Sequence, residues 1–205
     1  MMKSRKKLDL YFYDRENVLQ IARELLGKIL VTQWGGRRSA GRIVETEAYA
    51  GVNDRACHAF GGKRTARTED LYGSPGTVYV YICYGMHHLF NVITNKKDIP
   101  HAVLVRALEP LEGVEFMLAR TGKTETDFTL TKGPGNLTRA MGMSKMHTGR
   151  DLFSSEIFIE DDGLRYKKDQ LVITKRIGVG SAREDAELPY RFLVRGNPYV
   201  SAKKS

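Results

Sequence analysis

Two glutamates and a tyrosine alternate along a segment with the pattern of a β-strand. In Arg42–Tyr49, the residues Glu45, Glu47 and Tyr49 occupy every second position, so their side chains are predicted to share one face. Taken alone, this pattern is best explained as the solvated face of a strand. The alternative is chemical, because a carboxylate that lines a cleft can activate water, as in the hydrolysis of glycosidic bonds.

A long polar segment follows this strand directly. Residues Gly51–Ser74 are rich in glycine and basic residues, which predicts a loop, and loops of this length in compact domains are usually functional. His58 is the histidine of this loop. The two cysteines, Cys57 and Cys83, and the histidines lack the spacing of metal ligands, so we expect no metal site, no cofactor and no disulfide scaffold.

Tyrosines dominate the next predicted strand, Thr77–Tyr84. Tyr79 and Tyr81 share a face, and cross-strand packing explains Tyr79 well. Tyr84 differs because it lies beside a predicted turn at Gly85 and Met86. In a basic protein, an aromatic side chain at a hairpin tip can act as a wedge that enters a stack of bases.

The overall charge favours a polyanionic partner. The 205 residues include 33 Lys and Arg against 24 Asp and Glu, a formal net charge of +9, and basic side chains that neutralise phosphates release counterions. No apolar run reaches the length of a membrane span. Because Asp9 and Asp14 interrupt the segment after the basic N-terminus, no secretory signal is expected. We therefore expect a cytoplasmic, monomeric protein with no membrane association.

Strands joined mostly by hairpins, with helices around them, predict an α+β fold. We expect one domain over residues 1–205, built on a largely antiparallel sheet with a protruding hairpin and basic, flexible ends. A first helix is expected between Asp14, as its N-cap, and Gly27. Further helices are predicted at Leu111–Arg120 and Asn136–Met143. The predicted strands are Lys28–Trp34, Arg42–Tyr49, Thr77–Tyr84, Leu89–Thr94, Ala102–Ala107, and segments near Ile157–Ile159, Leu171–Arg176 and Arg191–Val194.

Seven motifs, in order along nearly the whole chain, resemble those of the alkyladenine, or 3-methyladenine, DNA glycosylases. Each motif alone is modest, but the ordered set is highly specific. The motifs are V-E-T-E-A-Y (Val44–Tyr49), H-A-F-G-G-K-R-T (His58–Thr65), P-G-T-V-Y-V-Y-I-C-Y-G-M (Pro75–Met86), V-R-A-L-E-P (Val105–Pro110), K-G-P-G-N-L (Lys132–Leu137), R-I-G-V-G (Arg176–Gly180) and R-F-L-V-R-G-N-P-Y-V-S (Arg191–Ser201).

The resemblance implies a monofunctional enzyme of base-excision repair. Such an enzyme flips an alkylated or deaminated purine out of double-stranded DNA and hydrolyses its N-glycosidic bond, leaving an abasic site. It implies that Glu47 is the general base. Arg106 would help to hold the attacking water and reach a phosphate, and the backbone carbonyl of Ile177 would complete the water site.

The same resemblance assigns the groups that touch DNA. It implies a pocket for the flipped base formed by Tyr49, His58 and Tyr81, with Asn91 crowding the 2-amino group of guanine. It also implies that Tyr84 fills the gap left in the duplex and that Met86 flanks it. The family pattern assigns no role to Glu45. The sequence departs from the family at His87, where better-known members carry an aromatic residue.

Two hypotheses of different classes follow. One is the glycosylase, and the other is a non-catalytic nucleic-acid-binding domain that uses the same basic surface and stacking tyrosines. Charge and aromatic residues fit both hypotheses. Glu47 separates them, because an acidic group that faces a phosphate path is unfavourable unless it takes part in chemistry.

Overall fold

The computed structural model describes residues 5–201, so the ends at 1–4 and 202–205, predicted to be flexible, lie outside the described residues. The architecture is α+β, as predicted. Within that range one sheet contains nine strands, and every pairing between them is antiparallel. The strands are β1 (Lys6–Lys7), β2 (Ile29–Trp34), β3 (Arg37–Tyr49), β4 (Val78–Cys83), β5 (His87–Thr94), β6 (His101–Glu112), β7 (Ile157–Asp161), β8 (Leu171–Thr174) and β9 (Arg191–Val194).

The long strand β3 lies at the centre of this sheet. The strand order is β1-β7-β2-β3-β6-β5-β4, and β9, which carries β8 on its other edge, also pairs with β3. Along one edge of β3, its first part pairs with β2, and Glu45–Glu47 pair with β9. Strand β6 follows the opposite edge. Both glutamates are therefore enclosed by strands on each side.

Two irregularities in the β3–β6 ladder lie beside these glutamates. Glu45 pairs with Ala107 and Thr46 pairs with Val105, so Arg106 is an extra residue on β6. On the other side of Glu45, Val44 is the extra residue on β3. Such bulges bend a strand and re-aim its side chains. Here the bulge at Arg106 lies at the point where that side chain meets both carboxylates.

Between residues 5 and 201, four α-helices accompany the sheet: α1 (Leu10–Tyr13), α2 (Val18–Leu25), α3 (Val114–Thr121) and α4 (Pro134–Ala140). Helix α2 buries residues at helical spacing and packs against β3, where the Thr46 hydroxyl donates to the Ala22 carbonyl at 2.8 Å. The predicted cap at Asp14 is wrong. Asn17 caps α2 through its side chain, which accepts a hydrogen bond from the Gln20 N–H, while Asp14 follows the end of α1. No helix in the described range is long and apolar enough to cross a membrane.

Several boundaries also differ from the predicted ones. Leu111 and Glu112 belong to β6 rather than to a helix, and α3 begins only after Gly113, whose φ of +66° breaks the strand. Helix α4 begins at Pro134, so Gly133 is an ordinary helix entry with Pro in the first turn. Strand β3 starts at Arg37 rather than at the predicted Arg42.

The segment Gly51–Ser74 contains three short 3-10 helices, at Gly51–Asn53, Phe60–Gly62 and Glu69–Tyr72. Its side chains form a second, smaller apolar cluster, separate from the main core. The buried members of that cluster are Cys57, Ala59, Leu71, Tyr72, Tyr79, Ile93 and Ala102, with Tyr49 and Tyr81 packed against it. The loop therefore packs on strands β4–β6 and is anchored there by buried side chains.

Strands β4 and β5 form the predicted hairpin, and β4 is the edge of the sheet. Neighbouring segments contact both strands of the hairpin. The Thr148 hydroxyl contacts both the N–H and the carbonyl of Val80, at 3.0 and 2.8 Å. Gly135 approaches His87 so closely that a Cβ there would lie 3.0 Å from the imidazole. The free end of the hairpin carries Tyr84, Gly85 and Met86.

Candidate active site

Glu47 is fully buried and is held by three groups from distant parts of the chain. Its Oε1 accepts a hydrogen bond from the Ile177 N–H at 2.8 Å and lies 3.2 Å from Arg106 Nη1. Its Oε2 accepts a hydrogen bond from the Tyr49 hydroxyl at 2.9 Å. A carboxylate has about four acceptor positions, so this arrangement fixes its orientation and leaves capacity for a water molecule.

Glu45 is also fully buried, so the interpretation of this strand face as solvated is wrong. Glu45 lies 3.0 Å from Arg106 Nε and from Arg191 Nε. Sequence spacing places both carboxylates on one face, as predicted, but only the pairing of β3 with β6 and β9 covers that face. The two arginines come from those two strands.

Opposing effects act on the charge of Glu47. Burial raises the pKa of this carboxyl, while Arg106 and the Ile177 N–H lower it, and the net shift is upward. The pKa of Arg106 is raised by Glu47 and Glu45 against the effect of burial, so the guanidinium stays cationic. A carboxylate with a raised pKa is a stronger base than an exposed one when it is ionised.

A cavity of about 710 Å³ opens beside this cluster. That volume is in the range of small-molecule sites. Its lining contains most of the residues that the sequence predicts for the site: Tyr49, His58, Tyr81, Tyr84, Asn91, Arg106 and Ile177. Glu47 lies directly behind this lining, in contact with Tyr49, Arg106 and Ile177. Met86 is not part of the lining and lies at the hairpin tip.

Aromatic rings pack against one another along one side of the cavity, in edge-to-face and stacked pairs. The His58 and Tyr81 ring centroids are 4.6 Å apart at 80°, and Tyr79 stacks on Tyr81 at 5.7 Å. His58 Nδ1 lies 3.2 Å from the Tyr79 hydroxyl. Tyr79 is buried, as the packing interpretation predicts, and burial raises its pKa to about 12. Burial lowers the pKa of His58, and neighbouring basic residues lower it further, which favours a neutral imidazole.

Asn91 is buried on β5 and lines the cavity. Its side-chain amide donates hydrogen bonds to the backbone carbonyls of Tyr79, at 3.2 Å, and Leu89, at 3.1 Å. Two bonds to rigid strands fix the position of the amide. A side chain that discriminates between bases by steric exclusion needs such a fixed position.

The hairpin tip is the most exposed aromatic element near the cavity. Tyr84 is 86% exposed and Met86 is 72% exposed. The sequence predicts Tyr84 as the last residue of the strand. In the structure it lies inside the turn instead, with φ of +50°, and Gly85 follows with φ of +73°. The Met86 N–H closes the turn on the Cys83 carbonyl at 3.2 Å. Positive φ at a tyrosine is uncommon, and here it belongs to the local geometry of this turn.

Sequence reasoning missed the ion pair that supports Tyr49. The Arg176 guanidinium bonds both oxygens of Asp54, at 2.5 and 2.8 Å, and both side chains are buried. The same guanidinium lies over the rings of Tyr49 and Tyr190, at 4.9 and 5.2 Å. This pair ties the loop after β3 to the segment that presents Ile177. The available sequence signal for this pair was that Arg176 directly precedes Ile177, a residue of the predicted water site.

The backbone of Ile177 has a contact that the sequence does not predict, because its N–H donates a hydrogen bond to Glu47. The role that the resemblance implies for its carbonyl at the water site stays a prediction. No group of three or more His, Cys, Asp or Glu side chains that could hold a metal ion occurs among residues 5–201.

Comparison with known proteins identifies the family of this chain. Residues 11–198 match the methylpurine-DNA glycosylase family. Proteins named "Putative 3-methyladenine DNA glycosylase" are similar over nearly their full length. The relative from Desulfitobacterium hafniense is 43% identical over 97% of this chain and 100% of its own. The relative from Clostridium perfringens is 46% identical over 94% and 97%, and that from Natranaerobius thermophilus is 43% identical over 95% and 98%. The chain therefore belongs to the methylpurine-DNA glycosylase family, whose members are hydrolases of N-glycosyl bonds.

Proposed function

We propose that this protein is a monofunctional DNA glycosylase that removes damaged purines from double-stranded DNA. Its substrates are alkylated or deaminated purines, namely 3-methyladenine, 7-methylguanine, hypoxanthine and ethenoadenine. A water molecule activated by Glu47 hydrolyses the N-glycosidic bond and leaves an abasic site. The observation that carries the proposal is the buried Glu47 carboxylate, oriented by three hydrogen-bond or ion-pair partners at the wall of an aromatic cavity.

The chemistry follows from the charges at this wall. Water attacks the anomeric carbon of the sugar as the bond to the base breaks, and Glu47 accepts the proton that the water loses. The positive charge that develops on the sugar is stabilised by the same carboxylate in a site shielded from solvent. Arg106, 3.2 Å from Glu47, favours the ionised carboxylate against the effect of burial and is a donor available to the water.

The base is held by stacking. Tyr49, His58 and Tyr81 line the cavity, and a flipped purine offers two π-faces to such rings. Alkylated purines such as 7-methylguanine carry a positive charge, so they gain a cation–π attraction to the tyrosines. A neutral His58 adds no opposing charge. Asn91, fixed by two backbone carbonyls, excludes the 2-amino group of guanine.

The hairpin tip has a separate role in the proposal. Tyr84, which is 86% exposed, enters the space that the flipped nucleotide leaves in the duplex, and Met86 flanks it. This insertion offsets part of the few kcal/mol lost when a base is unstacked and unpaired. All of these groups come from one chain, so we propose a monomer. A DNA substrate places the enzyme with the chromosome, which in a bacterium is the nucleoid within the cytoplasm.

A non-catalytic binding domain is the competing explanation, and the burial of the carboxylates disfavours it. Burying ionised groups is unfavourable unless they are paired. A domain that only binds phosphates and stacks bases has no use for two such carboxylates beside its cavity.

The test is a panel of duplexes that each carry one lesion, with the released base measured by chromatography. We expect release of one or more damaged purines by the native protein and none by Glu47→Gln, with lesion binding retained in the variant. Binding without release by the native protein across the whole panel would instead identify a binding domain.

A further inference from the structure

Glu45 is a buried carboxylate that the proposed mechanism does not use. Besides the two arginines, it contacts Ser201 near the end of the described chain. The Ser201 N–H donates to Glu45 Oε2 at 2.6 Å, and its hydroxyl lies 2.8 and 2.7 Å from the two carboxylate oxygens. Residues from three separate segments therefore converge on this one side chain.

Arg106 connects Glu45 to Glu47. Its Nε donates to Glu45 Oε1 at 3.0 Å, while Nη1 lies 3.2 Å from Glu47 Oε1. Its Nη2 reaches the Ser201 hydroxyl at 3.4 Å. A planar guanidinium that is held at both ends has little rotational freedom. Without Glu45, the guanidinium loses its Nε contact, and Ser201, the partner of Nη2, loses the carboxylate that holds it, so Nη1 is less firmly fixed against Glu47.

The bulge in β6 makes this support necessary. Arg106 is the extra residue in the ladder, without a partner on β3, so regular strand pairing does not fix its direction. The Glu45 contact supplies that constraint. It also balances charge, because Glu45, Glu47, Arg106 and Arg191 are two negative and two positive groups, all of them buried.

We propose that Glu45 is a positioning residue for the hydrolysis, which holds the Arg106 guanidinium in place against Glu47. The inference rests on the proposed function, since it assigns Glu45 a part in the same reaction. The competing explanation is structural: Glu45 would only fasten Ser201 and the C-terminal segment to the sheet.

The two explanations differ in how the rate depends on pH. The charged and titratable groups that face Glu47 are Arg106 on β6, Tyr81 on β4, Tyr49 and Glu45 on β3, and Arg176 after β8, with Arg191 on β9 beside Glu45. The negative charge of Glu45 raises the pKa of Glu47. Arg106 lowers that pKa more strongly, so a variant that keeps the charge at position 45 but releases Arg106 raises the pKa of Glu47 and moves the acid limb of the rate profile to higher pH. A purely structural role leaves the limb in place.

The experiment measures single-turnover excision with saturating enzyme, across a pH series, for Glu45→Gln and Glu45→Asp. We expect Glu45→Gln to lose about tenfold to a hundredfold in rate, the scale of a misplaced catalytic group, with unchanged affinity for lesion DNA. Glu45→Asp keeps the charge but is too short to hold Arg106, so it loses rate and its acid limb moves to higher pH.

Thr46→Val is the matched control for stability. Thr46 lies on the opposite face of the same strand, and its buried hydroxyl bonds the Ala22 carbonyl, so the change lowers the melting temperature without touching Arg106. Rates for both Glu45 variants within about twofold of those of Thr46→Val would overturn the proposal. If Glu45→Gln does not fold, an unaltered rate in Glu45→Asp overturns it equally.

A Glu47→Gln arm separates this inference from the proposed function. Excision by the native protein that is abolished in Glu47→Gln but unaffected in both Glu45 variants contradicts the positioning role alone. Excision that survives in Glu47→Gln contradicts the proposed function itself.

Discussion

The wall of the cavity and the tip of the hairpin are opposite environments within one chain. At the wall, Glu47 is fully buried and Arg106 is 6% exposed, enclosed by β3, β6 and β9. At the tip, Tyr84 is 86% exposed on a turn beyond the edge of the sheet. Fixed charges shielded from water suit bond breaking, whereas an exposed aromatic ring suits entry into a duplex. The proposed function accordingly assigns bond breaking to the first region and duplex opening to the second.

Both regions are held in place, but by different forces. Ion pairs and hydrogen bonds from distant segments orient Glu47. The tip depends on local backbone geometry, with positive φ at Tyr84 and Gly85. Because the two regions share no polar contact among the described side chains, substitutions in one should leave the other unchanged.

The largest effect is expected from a substitution in the buried region that contains Glu47. Glu47→Gln keeps the shape of the side chain and removes the base, so we expect excision to fall by about 10²–10⁴-fold. Affinity for lesion DNA should stay nearly constant, because stacking and phosphate contacts remain. Single-turnover rates and a binding titration measure the two quantities. A comparable loss of affinity would show that Glu47 also holds the DNA.

The tip is tested by Tyr84→Ala. If insertion contributes about 2 kcal/mol, excision from duplex DNA falls roughly thirtyfold, and excision from a single strand with the same lesion changes little. The comparison uses single-turnover rates on both substrates, with a melting curve. Equal losses on both substrates would indicate that Tyr84 contributes to the cavity and not to opening of the duplex.

A smaller effect is expected from Asn91→Ser, which enlarges the cavity without touching Glu47. Removing the clash with the exocyclic amine should raise the excision of guanine-derived bases relative to hypoxanthine by about tenfold. Competition between the two lesions in one reaction gives the ratio. An unchanged ratio would mean that another group sets this selectivity.

No effect is expected from removing metal ions with EDTA or from adding borohydride. In the proposal Glu47 activates the water, so excess EDTA should leave the rate unaltered, and because water rather than an amine is the nucleophile, borohydride should trap no covalent adduct with DNA. The check is a gel assay for cross-linked product beside a rate measurement. A trapped complex would show that a lysine forms a Schiff base with the sugar.

The sequence predicted the secondary structure that local patterns specify. The β4–β5 hairpin and the strand containing Glu47 follow from alternation and turn residues, and all the predicted strands exist. The cap of α2 was misplaced because Asp14 and Asn17 are both good capping residues, and only the start of the helix distinguishes them. The bulge at Arg106 could not be predicted, because a ladder irregularity depends on the partner strand.

The burial of Glu45 could not be predicted from the local sequence pattern. A strand face with two glutamates is normally solvated, and only the partners Arg106, Arg191 and Ser201 reverse that expectation. Those partners lie 61 to 156 positions away. The Asp54–Arg176 pair joins segments 122 positions apart and was missed for the same reason.

The pH dependence of excision tests the central role of Glu47 most directly. The substrate should carry 7-methylguanine, which is already cationic and leaves without further protonation. The pKa of Glu47 is raised by burial, so the account predicts that the single-turnover rate rises with pH through one ionisation above the ordinary carboxyl range of about 4.3. Glu47→Gln should lack this limb. An acid limb that persists in Glu47→Gln, or a native rate that does not depend on pH, would contradict the account.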